Sequence, residues 1–104
     1  MGIGNAIVIG GGIGGLAAAA ALSRRGMAVT LLEQAPAITE VGAGLQISPN
    51  GIAVLRAMGL DAKLTERAAV RGQAVVLQDY KAGARVARLD LMRGQGAYPY
   101  MFVH

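Results

Sequence analysis

Short apolar runs and glycine clusters alternate along the first third of the chain. An apolar run ends in Gly10, and glycine then fills four of the next five positions before five consecutive alanines, Ala17–Ala21. Alanine has the highest helix propensity, whereas a short apolar run bounded by glycine is typical of a buried strand. The pattern therefore predicts a strand, a helix and a second strand, with the two strands parallel and adjacent through a right-handed crossover: Ala6–Gly10, Ile13–Arg25 and Ala28–Glu33.

The middle of the chain predicts a long connection and then two helices. Gln34–Ile47 contains a proline and scattered glycines, and we interpret it as a connection without regular structure. Ser48 is a favourable N-cap and is followed by proline, which suits the first helical position. This helix should end at Gly59, with Leu60 closing a Schellman-type end. A short helix should follow, from Asp61 to about Ala69.

The last third predicts a β-hairpin and a final strand. Gln73–Gln78 and Arg85–Leu91 are apolar runs joined by a turn that contains Lys-Ala-Gly, as in a hairpin. Tyr98–Val103 is apolar but contains a proline, which weakens it as a strand. Its aromatic residues recur at every second position. They could stack on nucleic-acid bases beside Arg93, but we favour one face of a core strand.

Composition and charge narrow the classes of function. The 104 residues suffice for one small domain, and the sequence contains no cysteine and a single histidine, His104. Disulfides, thiolate sites and histidine-centred clusters are therefore excluded. The net charge of +4 is dispersed, with no basic run longer than two residues, so we expect an ordinary solvated surface and no nucleic-acid binding.

The uncharged stretch Met1–Ser23 is not read as a targeting or membrane segment. No lysine or arginine precedes its apolar run, and glycines interrupt it where a membrane helix would be continuous. We therefore expect a cytoplasmic protein without a membrane anchor.

The glycine cluster matches the G-x-G-x-x-G motif of dinucleotide-binding proteins at Gly10, Gly12 and Gly15. The first glycine permits the tight turn, the second lets backbone approach a pyrophosphate, and the third allows close helix packing. Glu33 ends the second strand, where a carboxylate can accept hydrogen bonds from a ribose. The alternative is that the glycines form only a turn and that Glu33 is only a solvated strand end.

Three segments resemble the N-terminal part of class A FAD-dependent aromatic hydroxylases. They are GGGIGGLAAAAAL, VTLLEQAP and EVGAGLQISPNGIAVLRAMGL. The likeness is to the group of salicylate hydroxylase, 3-hydroxybenzoate 6-hydroxylase and 6-hydroxynicotinate 3-monooxygenase. It implies an α/β fold, namely a truncated Rossmann-like βαβ FAD-binding domain over residues 1–104, with a β-hairpin after the second and third helices.

The resemblance implies that the dinucleotide is FAD. It places Glu33 on the adenosine ribose, Gln34 on the adenosine side, and Gln46 towards the flavin and substrate. Glutamine takes up no proton at neutral pH, so Gln46 can only form hydrogen bonds, and it is equally well read as a simple loop side chain. The predicted cofactor-binding residues are Gly10, Gly12, Gly14, Gly15, Glu33, Gln34 and Gln46, and no catalytic or metal-binding residue is predicted.

The resemblance also implies a reaction in which NAD(P)H supplies electrons, O₂ supplies the oxygen atom, and an aromatic acid is hydroxylated. In this family an arginine follows the position of His104, and Asp-Gly and Gly-Asp motifs and a substrate domain come later. We therefore interpret the chain as a fragment and keep two hypotheses. It is either the FAD-binding start of a monooxygenase, or a non-catalytic fragment that binds adenine dinucleotide weakly or not at all and self-associates as a homo-oligomer.

Overall fold

The computed structural model describes residues 4–39, 42, 44–67, 69–94, 96 and 98–103. The chain divides into two compact units, Met1–Val41 and Gly42–His104. The first unit contains β1 (Asn5–Ile9), α1 (Ile13–Arg24) and β2 (Ala28–Leu32). The second contains β3 (Leu45–Ile47), α2 (Pro49–Ala57), α3 (Asp61–Arg67), β4 (Val70–Arg71), β5 (Ala74–Gln78), β6 (Arg85–Asp90) and β7 (Met101–Val103).

The first unit is a βαβ unit. Strands β1 and β2 pair in parallel, from Asn5 opposite Ala28 to Ile9 opposite Leu32, which confirms the predicted adjacency. Helix α1 lies on the face of the sheet that carries Val8, because a Cβ built on Gly15 would be 3.5 Å from Val8 Cγ1. The predicted α/β class and its βαβ start are therefore correct.

The opposite face of this two-stranded sheet is apolar and exposed. Side chains alternate between the two faces of a strand, so Ile7 and Ile9 point away from α1, and the in-register pairing places Leu32 beside Ile9. Ile7 is 68% exposed and Ile9 is 85% exposed. The valine-bearing face is the one that packs on the helix.

Both longer helices end as their glycines predict. At the end of α2 the amide of Gly59 donates to the Arg56 carbonyl and the amide of Leu60 donates to the Leu55 carbonyl, each at 2.9 Å. These are the two hydrogen bonds of a Schellman motif. The end of α1 has the same arrangement, with Gly26 and Met27 as donors. Of the described helices, none is long and apolar enough to cross a membrane.

The second unit contains a three-stranded antiparallel sheet that the sequence did not predict. Strand β7 lies in its centre, with β3 and β4 on either side. The predicted unstructured connection Gln34–Ile47 is therefore wrong at its end, where β3 forms, and β4 was missed. Strands of two or three residues are too short to show an alternating pattern, and β7 stabilises them by hydrogen bonding from a distant part of the chain.

The predicted hairpin is present. Strands β5 and β6 pair antiparallel from Ala74 opposite Asp90 to Gln78 opposite Arg85, with an irregularity between Leu77 and Gln78. Each strand is slightly shorter than predicted. The turn between them is stabilised by the Asp79 carboxylate, which accepts a hydrogen bond of 2.8 Å from the amide of Ala82.

The prediction of an aromatic core face on the last strand is wrong. The strand covers only Met101–Val103, and the buried side chain is Met101, which is 6% exposed. Tyr98 and Tyr100 precede the strand and are half-buried. The Tyr98 ring lies 4.8 Å from the Arg56 guanidinium carbon, a cation–π distance that explains its partial cover. Phe102, the aromatic residue within the strand, faces away from Met101 because side chains alternate along a strand, and it is half-buried.

Candidate functional site

The glycine turn between β1 and α1 has the geometry that its three motif glycines predict. Gly10 adopts φ +102°, which is open to glycine but strained for other residues. A Cβ on Gly15 would lie 1.8 Å from the Gly10 carbonyl oxygen, so α1 approaches the turn more closely than any side chain permits. A Cβ on Gly12 would meet nothing within 4 Å. Two of these glycines are thus needed by the fold itself, and Gly12 is not.

The amino end of α1 is electrostatically suited to an anion. Gly12 is the N-cap, and its carbonyl accepts the first helical hydrogen bond from Leu16 at 2.9 Å. No side chain caps the helix, and its first turn contains no acidic residue. The first amide groups of a helix have no partner within the helix and carry the positive end of its dipole. Gly14 lies in this first turn, with open space beside it.

Glu33 lies directly after β2 and reaches across to the glycine turn. Its Oε2 accepts a hydrogen bond of 2.5 Å from the amide of Gly11, and its Oε1 accepts one of 3.0 Å from the amide of Ala35. The Ala35 and Gly11 amides, and then the Gln34 amide, lower the pKa of Glu33 below its usual value of 4.5, and partial desolvation opposes them. The carboxylate is therefore ionised at neutral pH and already bonded to backbone.

The structure brings the turn glycines and Glu33 together, whereas it puts the two predicted glutamines in different units. Gln34 follows Glu33 in the first unit and is exposed. Gln46 lies in β3 of the second unit, so it is a strand residue and not a loop residue. Its Oε1 accepts a hydrogen bond of 3.1 Å from the Tyr100 hydroxyl. This contact orients the Gln46 side chain.

Sequence reasoning missed Gly11. This residue is buried, and a Cβ on it would lie 2.9 Å from Glu33 Oε2 and 3.3 Å from Glu33 Cβ. The G-x-G-x-x-G motif does not require glycine at position 11. A glycine there, between Gly10 and Gly12, was the only feature of the sequence that could have indicated a close contact. Among the described residues, no group of three or more acidic or histidine side chains is placed to hold a metal ion.

A parallel βαβ unit with a glycine turn, an uncapped helix start and an acidic residue after the second strand defines a dinucleotide-binding domain. The comparisons with known proteins name the dinucleotide. The family model described as an FAD binding domain matches residues 5–102. The chain belongs to this family, whose cofactor is FAD.

Relatives of the chain include enzymes that hydroxylate aromatic acids. The chain is 44% identical over 101 residues to 3-hydroxybenzoate 6-hydroxylase of Polaromonas naphthalenivorans, covering 94% of this chain and 25% of that enzyme. It is 38% identical to 6-hydroxynicotinate 3-monooxygenase of Bordetella bronchiseptica, covering 81% of this chain and 22% of that enzyme. The resemblance inferred from the sequence is confirmed. The chain spans about a quarter of the length of these curated relatives.

Solved structures agree with this assignment. Klebsiella pneumoniae HpxO, in complex with FAD and uric acid, matches with a TM-score of 0.70 and 29% identity, over 95% of this chain and 25% of that one. Pseudomonas aeruginosa PqsL, in complex with 2-aminobenzoylacetate, matches with a TM-score of 0.79 and 26% identity, and the match covers 95% of this chain and 26% of that one.

Proposed function

We propose that this chain is the FAD-binding N-terminal part of an NAD(P)H-dependent monooxygenase that hydroxylates an aromatic acid. The observation that carries the proposal is the glycine turn, in which the open position beside Gly12 coincides with an uncapped helix start. Relatives that hydroxylate benzoates and pyridine carboxylates support the substrate class. The cytoplasmic location suggested by the interrupted apolar run belongs to the same proposal.

The residues of the first unit fit the adenosine diphosphate part of FAD. The backbone amides at the start of α1 would bind the pyrophosphate, and Gly12 would let it approach, since no side chain stands there. Glu33 would accept hydrogen bonds from the ribose, and Gln34 would lie on the adenosine side. When bound, FAD supplies the redox chemistry, while the protein binds and orients it.

Gln46 is proposed for the flavin and substrate side of the site, by the resemblance alone. Its oxygen already accepts a hydrogen bond from Tyr100, so its amide group remains as a donor. A glutamine can orient a substrate through such a donor but cannot act as a base, which is why we assign it no catalytic role.

The test is a substitution at Gly12. Gly12→Val adds a side chain whose Cβ meets no other residue within 4 Å, at a residue with φ −73° and ψ −177°, which valine adopts readily. We expect a small fall in the urea midpoint, because valine is a poorer N-cap than glycine by about 1 kcal/mol or less, and a loss of ADP and FAD binding by calorimetry. Gly4→Val is the matched control, because Gly4 is equally open but precedes β1, at the other end of the strand. Undiminished ADP binding in Gly12→Val would refute the assignment.

A second candidate function rests on the exposed apolar face of Ile7, Ile9 and Leu32. Exposed apolar patches favour association between protein chains. The second candidate is therefore a non-catalytic fragment that forms a homo-oligomer by covering this face. Gel filtration distinguishes the two. A yellow protein that retains flavin absorbance supports the FAD-binding function, whereas a colourless oligomer supports the alternative.

A further inference from the structure

The Glu33 carboxylate connects the two loops that follow β1 and β2. The last backbone hydrogen bond between these segments joins the Gly10 amide to the Leu32 carbonyl at 2.7 Å. The next residue on each side continues the connection through a side chain, since the Gly11 amide donates to Glu33 Oε2. The carboxylate thus takes the place of a backbone carbonyl, one residue beyond the end of the sheet.

The packing around this bond is specific. Gly11 is buried, and the Glu33 side chain occupies the space where a Cβ of residue 11 would be. A part-buried amide that loses its acceptor costs about 1–3 kcal/mol, so Glu33 stabilises this conformation of the turn. The other carboxylate oxygen is held by the Ala35 amide, which fixes the side-chain orientation.

We propose that Glu33 is a positioning residue for the phosphate-binding turn, in addition to any contact it makes with ribose. Through Gly11 it holds the turn in the conformation that presents Gly12 and the start of α1 to a diphosphate. A carboxylate offers about four acceptor positions, of which the backbone amides of Gly11, Ala35 and Gln34 use three, so one remains for ribose and both roles are compatible. This proposal rests on the proposed function for its ligand.

Inorganic pyrophosphate separates the two roles because it contains no ribose. If Glu33 acts only on ribose, Glu33→Gln weakens ADP binding and leaves pyrophosphate binding unchanged. Removing a negative charge near an anion would, by electrostatics alone, strengthen pyrophosphate binding. The positioning role predicts the opposite, namely that both ligands bind about tenfold more weakly, which corresponds to one lost hydrogen bond to a charged group.

Two further variants control for charge and for folding. Glu66→Gln removes the same charge from α3 and should leave both affinities unchanged. Glu33→Asp keeps the charge but is one methylene shorter, so it should lose the bond to Gly11 and also weaken pyrophosphate binding. Urea midpoints of all variants identify any that fail to fold, and Glu33→Asp replaces Glu33→Gln if the latter does.

A ligand-free measurement tests the bond directly. In NMR spectra of the wild-type chain, the Gly11 amide resonance should shift with the titration of the Glu33 carboxyl, below pH 4.5. In Glu33→Gln that shift should vanish. In Glu33→Ala, whose side chain has no acceptor, the Gly11 amide should also exchange with solvent faster. The Ala35 amide, which bonds the other oxygen of the same carboxylate, should shift with the same titration, whereas an amide that Glu33 does not contact should not.

The outcomes are distinct. Weaker pyrophosphate binding in Glu33→Gln, together with the loss of the Gly11 titration, supports the positioning role. Unchanged or stronger pyrophosphate binding overturns it and leaves the proposed function standing. A wild-type chain that binds neither ADP nor pyrophosphate refutes the proposed function, and the positioning role with it.

Discussion

Gly14 and Gly15 are neighbours in the first turn of α1, and alanine at the two positions should have opposite effects. An alanine Cβ at position 15 would lie 1.8 Å from the carbonyl oxygen of Gly10 and 3.0 Å from its carbon. An alanine Cβ at position 14 would meet nothing within 4 Å. The pair therefore isolates the close approach of helix and turn from the general effect of replacing glycine in a helix.

The expected magnitude follows from these distances. Because the atom in the way is backbone, the turn or the helix must shift by more than about 1 Å to restore an ordinary contact. Overpacking of this kind costs about 1–3 kcal/mol. The same shift strains the hydrogen bonds that the Gly10 and Gly11 amides donate, worth about 1 kcal/mol each. Alanine recovers at most about 1 kcal/mol through helix propensity.

We therefore expect Gly15→Ala to lower the free energy of unfolding by about 1–3 kcal/mol. Gly14→Ala should leave it unchanged or raise it by up to about 1 kcal/mol. Urea unfolding followed by circular dichroism, without ligand, measures both. If the two variants unfold at the same urea concentration, the close approach of α1 to the turn is wrong.

Two further predictions concern the second unit. A Cβ on Gly72 would lie 2.5 Å from Phe102 Cε2, so Gly72→Ala should destabilise the chain by about 1–3 kcal/mol in urea unfolding. Phe102→Leu in the same chain should recover part of this loss, and the absence of any recovery would contradict the contact. Arg56 Nε donates to Asp61 Oδ2 at 2.9 Å, and this hydrogen bond is the main cause of a pKa of Asp61 below the usual 3.8. Arg56→Met should raise that pKa in a carboxyl NMR titration. Because the folded pKa of Asp61 is lowered, its ionisation stabilises the fold above the unfolded pKa, and this stability is lost as the pH falls through the folded pKa. This loss of stability with falling pH should be smaller in Arg56→Met than in the wild type. An unaltered Asp61 titration would disprove the pairing.

Local sequence rules predicted the part of the fold that forms from neighbouring residues. The Schellman end at Gly59 and Leu60 depends on a few consecutive positions, and the structure confirms it. The β5–β6 hairpin was predicted for the same reason, since its turn and its two strands are contiguous in the chain.

Part of the site was also accessible from spacing alone. The motif predicts a tight turn at Gly10 and close helix packing at Gly15. The structure shows a positive φ at Gly10 and a close approach of α1 to the turn at Gly15. The roles towards FAD stay predictions for all seven residues, namely Gly10, Gly12, Gly14, Gly15, Glu33, Gln34 and Gln46. What spacing could not supply was the bond between Glu33 and Gly11, because the two residues are 22 positions apart and meet only when β1 and β2 pair.

The sequence by itself determined the βαβ start, the glycine-marked ends of α1 and α2, and the FAD-binding family, because each depends on local backbone preference or on a contiguous motif. The tertiary structure alone decided the sheet of β3, β7 and β4, the burial of Met101, and the second partner of Glu33. All three features depend on contacts between segments that are distant in the chain. In such contacts, burial and hydrogen bonding outweigh the weak strand propensity of segments two or three residues long.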